Sequence, residues 1–409
     1  MKNPEDRFIK FLENAESNGL KRALRKVVPV SARSCMVEGV DGECLDFSSN
    51  NYLGIADHPL LKEESVKWTE KLGTGSRASR LVSGTFPEYL ELENRIAEWK
   101  GSEAALIIGS GYMANTGIIP AVANRKSAIF ADKLNHASLN AGAILSGAQF
   151  IRYDHGSLTG LTKKFDVFNK KQLAKLSENE YRSVLNSGSC ATETIVISDT
   201  VFSMDGDVVD VEKLAKFAKD RGALLYLDDA HATGLFGERG EGLAHGGNAN
   251  IAMGTFSKAM GCYGAYVACS KDLKEYLVNR CGSFVYTTAM APGVYGAISA
   301  ALDLVQTSEF CEIRKKLLRR SAKLAEEIRG LGFETGNTAT PIIPVIVGDT
   351  DKCVRISQFL LNRNILAVAI RPPTVPKNSA RLRLSLNAAH SDDDVEYLLE
   401  TLKKAVDSA

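Results

Sequence analysis

The chain has 409 residues, of which 44% are hydrophobic, and its 50 Lys and Arg residues nearly balance its 49 Asp and Glu residues. A net charge of +1 argues against a broad basic surface for nucleic acid or an anionic membrane. The length exceeds what one small core serves, so two domains, or one large domain with an appendage, are expected. The N-terminus has no apolar signal region, and no run approaches the ~20 apolar residues of a membrane span, so we expect a cytoplasmic protein.

The cysteines show no pattern that indicates a metal site. None forms a CxxC pair, and none stands at metal-ligand spacing from a histidine. We therefore expect reduced thiols and no metal. The cysteines concerned are Cys35, Cys44, Cys190, Cys262, Cys269, Cys281, Cys311 and Cys353.

The first part of the chain is predicted to form an N-terminal arm over residues 1–48. Apolar residues recur every three to four positions over 4–28, which predicts an amphipathic helix broken near Asn18-Gly19. Residues 36–47 read as a hairpin with Asp41-Gly42 as its turn.

Alternating strands and helices begin near residue 85 and predict the α/β class, with a large domain over residues 49–288. Several strands are continuously apolar, as strands buried on both faces of a parallel sheet are. A helix is expected over Val211–Arg221, between an N-cap at Asp210 and a C-cap at Gly222. The predicted strands are Ala104–Ile108, Ser127–Ala131, Ala148–Tyr153, Thr194–Ser198, Ala223–Leu227 and Ala265–Ala268.

The last part of the chain predicts a smaller α+β domain over residues 289–409. A long basic helix carries Ile313, Leu317, Leu324 and Ile328 on its apolar face. Strands are expected at residues 342–347, 367–370 and 380–386, and a final helix from residue 391.

Lys258 is the strongest candidate for catalysis. It stands in Gly254-Thr-Phe-Ser-Lys-Ala-Met-Gly261, after an apolar run and before a tight turn. Hydroxyl groups next to an amine can bind a phosphate, and glycines let backbone N–H groups approach it. Such a lysine suits Schiff-base chemistry on pyridoxal phosphate, although most lysines in loops are simply exposed.

An acid and two histidines complete the candidate site. Asp228 ends the apolar strand before His231, where α/β folds bind ligands, and suits the pyridine nitrogen of that cofactor. A helix N-cap or a structural salt bridge is the alternative role, for which Asp229 is nearer. His136 follows a strand in a polar turn, where an imidazole stacking on the ring and a structural histidine are about equally expected.

Two further segments predict anion binding. Gly111 and Tyr112 open a helix after the strand Ala104–Ile108, where free backbone N–H groups can cradle a phosphate. Arg371 precedes two prolines that stiffen the backbone, and a rigidly held guanidinium suits a carboxylate. Arg381 and Arg383 alternate along the next strand, and we interpret them as structural.

Taken together, the motifs resemble those of the α-oxoamine synthases, nearly from end to end. This family comprises fold-type I pyridoxal-phosphate enzymes that condense an amino acid with an acyl thioester and release CO₂. The motifs are Ser49-Asn-Asn-Tyr-Leu-Gly54, Gly73-Thr-Gly-Ser-Arg-Ala-Ser-Arg-Leu-Val-Ser-Gly84, Leu134-Asn-His-Ala-Ser-Leu139, Phe202-Ser-Met-Asp-Gly-Asp207, Asp228-Asp-Ala-His231, Thr255-Phe-Ser-Lys258 and Tyr286-Thr-Thr288.

The resemblance implies a role for each matching position and a homodimer with a shared active site. Lys258 would hold pyridoxal phosphate. Asp228 would pair with the ring nitrogen of the cofactor, and His136 would stack on the face of the ring. The phenolic side would meet His231 and Ser203, and the phosphate would meet Gly111, Tyr112 and Thr255, with Thr287 from the neighbouring subunit. Arg371 would hold the amino-acid carboxylate, Asn50 would line that site, and Arg25 and Thr374 would contact the acyl substrate.

The segment Ile370–Pro376, followed by Ala380–Leu386, is most similar to members that join L-alanine to a pimeloyl thioester in biotin biosynthesis. The donor would be pimeloyl-CoA or a pimeloyl-carrier protein. One departure is Asp199, where a glutamate is usual, which would alter how Ser203 or the substrate is held.

Three alternatives remain open. A related synthase would use glycine or serine with another acyl-CoA, whereas a fold-type I aminotransferase would release no thiol. A cofactor-binding regulator is the third, although it would not need Lys258, Asp228, His136 and Arg371 together.

Overall fold

A computed structural model describes residues 3–17, 20–178 and 192–408. The helices are α1 (Asp6–Ser17), α2 (Pro59–Leu72), α3 (Pro87–Lys100), α4 (Gly111–Val122), α5 (Ala137–Ser146), α6 (Leu158–Leu173), α7 (Val211–Asp220), α8 (Lys271–Arg280), α9 (Gly282–Val285), α10 (Pro292–Val305), α11 (Ser308–Gly330), α12 (Thr350–Leu361) and α13 (Asp392–Ser408). The strands are β1 (Val27–Ser31), β2 (Ser34–Val37), β3 (Glu43–Asp46), β4 (Ala104–Ile108), β5 (Ala128–Asp132), β6 (Gln149–Tyr153), β7 (Thr194–Asp199), β8 (Leu224–Asp228), β9 (Ile251–Thr255), β10 (Ala265–Cys269), β11 (Ile342–Gly348), β12 (Ile365–Leu366), β13 (Ala369–Ile370) and β14 (Ala380–Ser385).

The large sheet has seven strands in the order β4-β10-β9-β8-β7-β5-β6. Strand β10 runs antiparallel to both of its neighbours, and the pairs from β9 to β6 are parallel. The predicted α/β class and mostly parallel sheet are therefore confirmed. Because β5, β7, β8 and β9 run in one direction, the segments that follow them meet at one edge of the sheet.

Each face of this sheet carries its own apolar core. Successive strand residues point to opposite faces, so Phe130 packs in one core while its neighbour Ile129 packs in the other. Helices α3, α6 and α7 cover the first face, and α4 and α5 cover the second. Burial on both faces explains why these strands are continuously apolar.

The two ends of the chain form smaller sheets. The order of one is β1-β2-β3-β12, with β12 parallel to β3, and the order of the other is β11-β14-β13. The predicted hairpin is confirmed, since Cys35 lies opposite Cys44. Pairing between β3 and β12 joins the predicted N-terminal arm to the predicted C-terminal domain, and the three-domain division stays a prediction.

The expected helix over residues 4–28 is wrong beyond Ser17. Residues 20–26 have no regular structure, and β1 then pairs with β2. Asn18 and Gly19 lie outside the described residues. Three valines around Pro29 explain the difference, because β-branched side chains favour strands and proline interrupts helices.

Two other strand predictions need correction. Strand β9 is absent from the predicted strands, because its apolar run is only three residues long before Gly254, and glycine is disfavoured in strands. Only the second half of the expected strand over residues 367–370 forms a strand, β13, and residues 367 and 368 connect it to β12, which belongs to a different sheet.

The seven described cysteines are free thiols, and Cys190 lies outside the described residues. Within the described ranges, no cluster of histidines, cysteines and carboxylates could hold a metal ion. No helix among those residues is long and apolar enough to cross a membrane.

Candidate active site

A cleft of about 900 Å³ opens at the edge where the parallel strands end. One of its walls follows β5, β7, β8 and β9, and the opposite wall comes from residues 368–383. Six of the predicted site residues line the cleft: Asn50, His136, Ser203, His231, Lys258 and Thr374.

Lys258 lies three residues beyond β9, at the start of a turn closed by a hydrogen bond from Gly261 N–H to the Lys258 carbonyl. Gly261 has a φ of +64°, and a Cβ there would lie 2.6 Å from the backbone nitrogen of Ala56, so only glycine fits. Burial lowers the pKa of Lys258 to about 8, although Asp228 and Asp199 oppose the shift. The amine is therefore available as a nucleophile or base near neutral pH.

Asp228 ends β8 and is buried beneath the cleft. Its two carboxylate oxygens accept hydrogen bonds from Asn115 Nδ2 at 2.7 Å and from the backbone N–H of Ala230 at 3.0 Å. Asn115 is itself held by Tyr226, whose hydroxyl donates to Asn115 Oδ1 at 2.6 Å. These contacts hold the carboxylate in one orientation. The sequence reading missed Asn115, which carries no signal except its place on α4.

His136 caps α5, and its Nδ1 lies 2.6 Å from Ser138 Oγ. Ser138 Oγ accepts a hydrogen bond from Asn115 Nδ2, so His136 and Asp228 belong to one network. The backbone N–H of His136 donates to Asp199 Oδ2 at 2.7 Å. Burial lowers the pKa of His136, which favours the neutral imidazole.

Asp199, the residue that departs from the family pattern, fixes the position of His136 and does not hydrogen-bond to Ser203 in the described contacts. It lies opposite Asp228 in the β7–β8 pair. Burial, with Asp228 as the next cause, raises the pKa of Asp199 well above its usual value.

The predicted phosphate cradle has the expected parts. The first N–H groups of α4, at Gly111 and Tyr112, have no acceptor within the helix. A Cβ added to Gly111 would lie 3.9 Å from Cβ of Thr255, so the helix start and the lysine segment are adjacent. Thr255 Oγ1 and Ser257 Oγ lie 2.8 Å apart there. Hydroxyl and amide donors at a helix N-terminus fit a phosphate group, so these residues fit pyridoxal phosphate.

His231 connects the cleft to the C-terminal part of the chain. Its Nδ1 lies 2.8 Å from the hydroxyl of Tyr52, and Arg383 Nη2 donates to that hydroxyl at 3.1 Å. Arg383 also donates to Asn50 Oδ1 at 3.1 Å and to the Ser203 carbonyl at 2.5 Å. One guanidinium thus orients three groups of the cleft.

Seven of the thirteen predicted site residues are absent from the cleft lining. Four of them, Asp228, Gly111, Tyr112 and Thr255, belong to the buried carboxylate and the phosphate cradle described above. The other three also lie outside the cleft. Arg25, Arg371 and Thr287 do not line it among the described residues, whereas Arg22, Arg381 and Arg383 do. Our structural interpretation of Arg381 and Arg383 was incomplete, because both make structural contacts and face the cleft. Their i, i+2 spacing on β14 puts them on one face of the strand, which is the signal that could have indicated this.

His155 joins two loops that border the cleft. Its Nδ1 lies 3.0 Å from Asp132 Oδ1, and its Nε2 lies 2.8 Å from Asp207 Oδ2. Burial alone would lower the pKa of His155. The hydrogen bonds to Asp132 and Asp207 outweigh burial and raise this pKa to about 10. The charged imidazole therefore ties the loop before His136 to the hairpin that carries Ser203.

Comparison with known proteins identifies the family. Residues 42–402 match the family model described as aminotransferase class I and II. The 8-amino-7-oxononanoate synthase of Geotalea daltonii is 43% identical over 399 residues, which cover 97% of this chain and 96% of the relative.

Solved structures share the fold. A serine palmitoyltransferase of Sphingomonas wittichii superposes with a TM-score of 0.86 at 27% identity, covering 99% of this chain and 97% of that one. An 8-amino-7-oxononanoate synthase of Francisella tularensis has a TM-score of 0.74 at 25% identity, covering 89% of this chain and 98% of that one. The chain therefore belongs to the class I and II aminotransferase family, and within it to the α-oxoamine synthases, fold-type I enzymes that depend on pyridoxal phosphate.

Proposed function

We propose that the chain condenses L-alanine with a pimeloyl thioester and releases 8-amino-7-oxononanoate, CO₂ and a free thiol, as an acyltransferase of biotin biosynthesis. The name and 43% full-length identity of the Geotalea daltonii relative support this assignment. The observation that carries it is the amine of Lys258, which lines the cleft with a pKa of about 8 and has Asp228 as its main opposing charge.

Bound pyridoxal phosphate supplies an aromatic ring that accepts the electrons released at Cα of the amino acid. In our proposal Lys258 binds the cofactor, and Asp228 keeps a proton on the ring nitrogen. His136 lies against the ring, and His231 and Ser203 face its phenolic oxygen. Gly111, Tyr112 and Thr255 bind the phosphate, with Thr287 of a partner subunit.

Lys258 Nζ also moves the proton in this proposal. It takes up the proton from Cα of alanine and later returns a proton to the product. A base is most effective when its pKa lies near the working pH, and burial has brought this amine from its ordinary range to about 8. Asp199 and Asp228 stabilise the ammonium form once the proton has been taken up.

The substrate contacts remain proposals. Asn50 and Thr374 line the cleft, which supports their assigned roles. Arg371 follows Ile370, which lines the cleft, and we propose that it holds the alanine carboxylate. Arg25 is proposed to contact the acyl donor, either pimeloyl-CoA or a pimeloyl-carrier protein. A homodimer and a cytoplasmic location complete the proposal.

A serine palmitoyltransferase-like activity is the second candidate. The Sphingomonas wittichii enzyme superposes over nearly the whole chain with a TM-score of 0.86, above the 0.74 of the Francisella tularensis synthase. Sequence identity favours the first candidate, because the Geotalea daltonii synthase is 43% identical and the palmitoyltransferase 27%.

A thiol-release panel tests the proposal. The purified chain, loaded with pyridoxal phosphate, is given L-alanine, glycine or L-serine with pimeloyl-CoA, pimeloyl-carrier protein, acetyl-CoA or palmitoyl-CoA. We expect thiol release and the aminoketone mass only with L-alanine and a pimeloyl donor. Highest turnover with serine and palmitoyl-CoA would support the second candidate.

The same panel separates the remaining alternatives. Conversion of amino acid to keto acid without thiol release would indicate an aminotransferase. Absence of any reaction, with the cofactor bound, would indicate a regulator.

A further inference from the structure

Tyr52 has a position that the proposed function does not yet use. Its hydroxyl lies 2.8 Å from His231 Nδ1, 3.1 Å from Asn50 Oδ1 and 3.1 Å from Arg383 Nη2. Tyr52 is fully buried, and His231 and Arg383 are nearly so. In a buried site each of these polar groups needs a hydrogen-bonding partner, so the protons can be counted.

The count begins at Arg383, which can only donate. Its Nη2 donates to the Tyr52 oxygen and to Asn50 Oδ1. The phenol has one proton of its own, which can go to His231 Nδ1 or to Asn50 Oδ1. Asn50 Oδ1 already has one donor in Arg383 and can accept a second, but the histidine contact is the shorter of the two, 2.8 Å against 3.1 Å. The shorter contact favours donation to His231.

The guanidinium of Arg383 further favours donation from the Tyr52 hydroxyl to His231. A phenol oxygen that accepts from a guanidinium becomes a better donor through its own O–H. Burial lowers the pKa of His231 well below its usual value, and Lys258 and Arg383 lower it further, so the imidazole is neutral. A neutral imidazole that accepts at Nδ1 must carry its proton at Nε2.

We infer that Tyr52 is a positioning residue that holds His231 in the Nε2–H tautomer, so that His231 offers a hydrogen-bond donor to the cleft. This inference rests on the proposed function for its purpose, since a donor there would meet the phenolic oxygen of the cofactor. The opposite tautomer would offer a lone pair to an oxygen and repel it.

The arrangement also couples the two walls of the cleft. Arg383 belongs to β14, whereas His231 follows β8 and Tyr52 follows β3. The orientation of His231 therefore depends on β14 being docked against the large sheet. Tyr52 provides the link, because its hydroxyl contacts both Arg383 on β14 and His231 in the cleft.

Nitrogen NMR of the full chain, with ¹⁵N-labelled histidine and without cofactor, tests the tautomer directly. The chain has six histidines, and His231→Gln identifies the relevant signals by their loss. We expect a protonated Nε2 and a hydrogen-bonded, unprotonated Nδ1 in the wild type. In Tyr52→Phe the Nδ1 signal should move downfield, because it loses its donor. A protonated Nδ1 in the wild type, or an unmoved signal in the variant, overturns the inference.

The loaded enzyme provides the second measurement. We expect Tyr52→Phe to shift the visible absorbance of the bound cofactor and to lower kcat about tenfold, with KM nearly unchanged. Tyr295→Phe is the matched control, since Tyr295 is also buried beside an arginine, Arg80, but lies outside the cleft lining. It should keep the wild-type spectrum. An identical effect of both variants on the spectrum overturns the inference.

The two proposals can fail separately. If the wild type releases no thiol with any donor, the proposed function is rejected while the NMR result for Tyr52 and His231 stands. If thiol is released but the tautomer is reversed, only the role of Tyr52 is rejected.

Discussion

The two walls of the cleft are built in different ways. The sheet wall consists of short segments that follow parallel strands, and Lys258 lines the cleft there, close to the buried acids Asp199 and Asp228 at the ends of β7 and β8. The outer wall contributes Arg22, Arg381 and Arg383, which reach the cleft through contacts between distant parts of the chain. Arg383, for example, meets Asn50 across 333 residues of sequence.

The difference has an electrostatic consequence. The sheet wall is acidic beside Lys258, and the outer wall is basic. Asp228 and Asp199 raise the pKa of Lys258, while burial and, to a lesser degree, Arg383 lower it. The sheet wall therefore sets the proton chemistry, and the outer wall attracts anionic groups of the substrates.

The largest expected effect comes from the sheet wall. Lys258→Ala removes both the cofactor's attachment and the proposed base, so turnover should fall on the order of 10³-fold or more. Thiol release and the visible absorbance of the cofactor measure the two losses. Lys219→Ala, at an exposed position of α7, is the control and should leave both unchanged. Retained turnover in Lys258→Ala would refute the assignment of the site.

Substitutions of two adjacent acids, Asp228 and Asp229, should have different effects. Asp228→Asn keeps an acceptor for Asn115 but removes the charge, so turnover should fall on the order of 10²-fold with little loss of stability. Asp229→Asn leaves Lys100, which is 3.0 Å from Asp229 Oδ2 and fully buried, without its counter-charge. It should lower the free energy of unfolding by about 3–5 kcal/mol.

Denaturant unfolding and thiol release, measured on both variants, test this distinction. Adding Lys100→Met to Asp229→Asn should restore most of the stability, because it removes the unpaired cation. An equal loss of turnover per folded molecule in both single variants would contradict separate roles for the two acids.

The contrast between the walls also explains what could be predicted from sequence. Asp228 and His231 lie at or within three residues of the end of β8, so the predicted strand over Ala223–Leu227 places them beside the cleft. Lys258 follows β9, which is absent from the predicted strands, and the glycine turn after the lysine is the local signal that indicates it. Strand ends follow from local apolar runs and glycine turns.

The outer wall could not be predicted in this way. Arg22 reaches the cleft because the segment before β1 is irregular where a helix was expected, and the contacts of Arg383 depend on how β14 docks. Such contacts arise from tertiary packing, which single-sequence patterns do not encode. The carboxylate role of Arg371, which rests on the adjacent prolines and on the family resemblance, stays a prediction.

Smaller effects are expected from the arginines. Arg371→Gln should raise KM for L-alanine about tenfold and leave KM for the thioester nearly unchanged, if Arg371 holds the carboxylate. Arg383→Gln should instead lower kcat, because Asn50, Tyr52 and the Ser203 carbonyl lose their common donor. Steady-state kinetics with each substrate varied in turn separates the two patterns. If KM for alanine rises only in Arg383→Gln, the alanine carboxylate binds to Arg383 and not to Arg371.

The smallest effect concerns the pH dependence of stability at the border of the sheet wall. His155 bridges Asp132 and Asp207, which raise its pKa to about 10 from an ordinary value of about 6.5. A raised pKa in the folded state means that the stabilisation is complete below about pH 6.5 and is lost as the pH rises towards 10.

The wild type should therefore lose about 2 kcal/mol of unfolding free energy relative to His155→Gln between pH 6.5 and 10, a value reduced for the partial exposure of the side chain. Urea unfolding of both proteins at several pH values gives the difference directly, and titrations common to both cancel. Parallel stability curves would show that His155 is neutral in the fold. The two loops would then be held by neutral hydrogen bonds, and the charge of the imidazole would have no part in closing the border of the cleft.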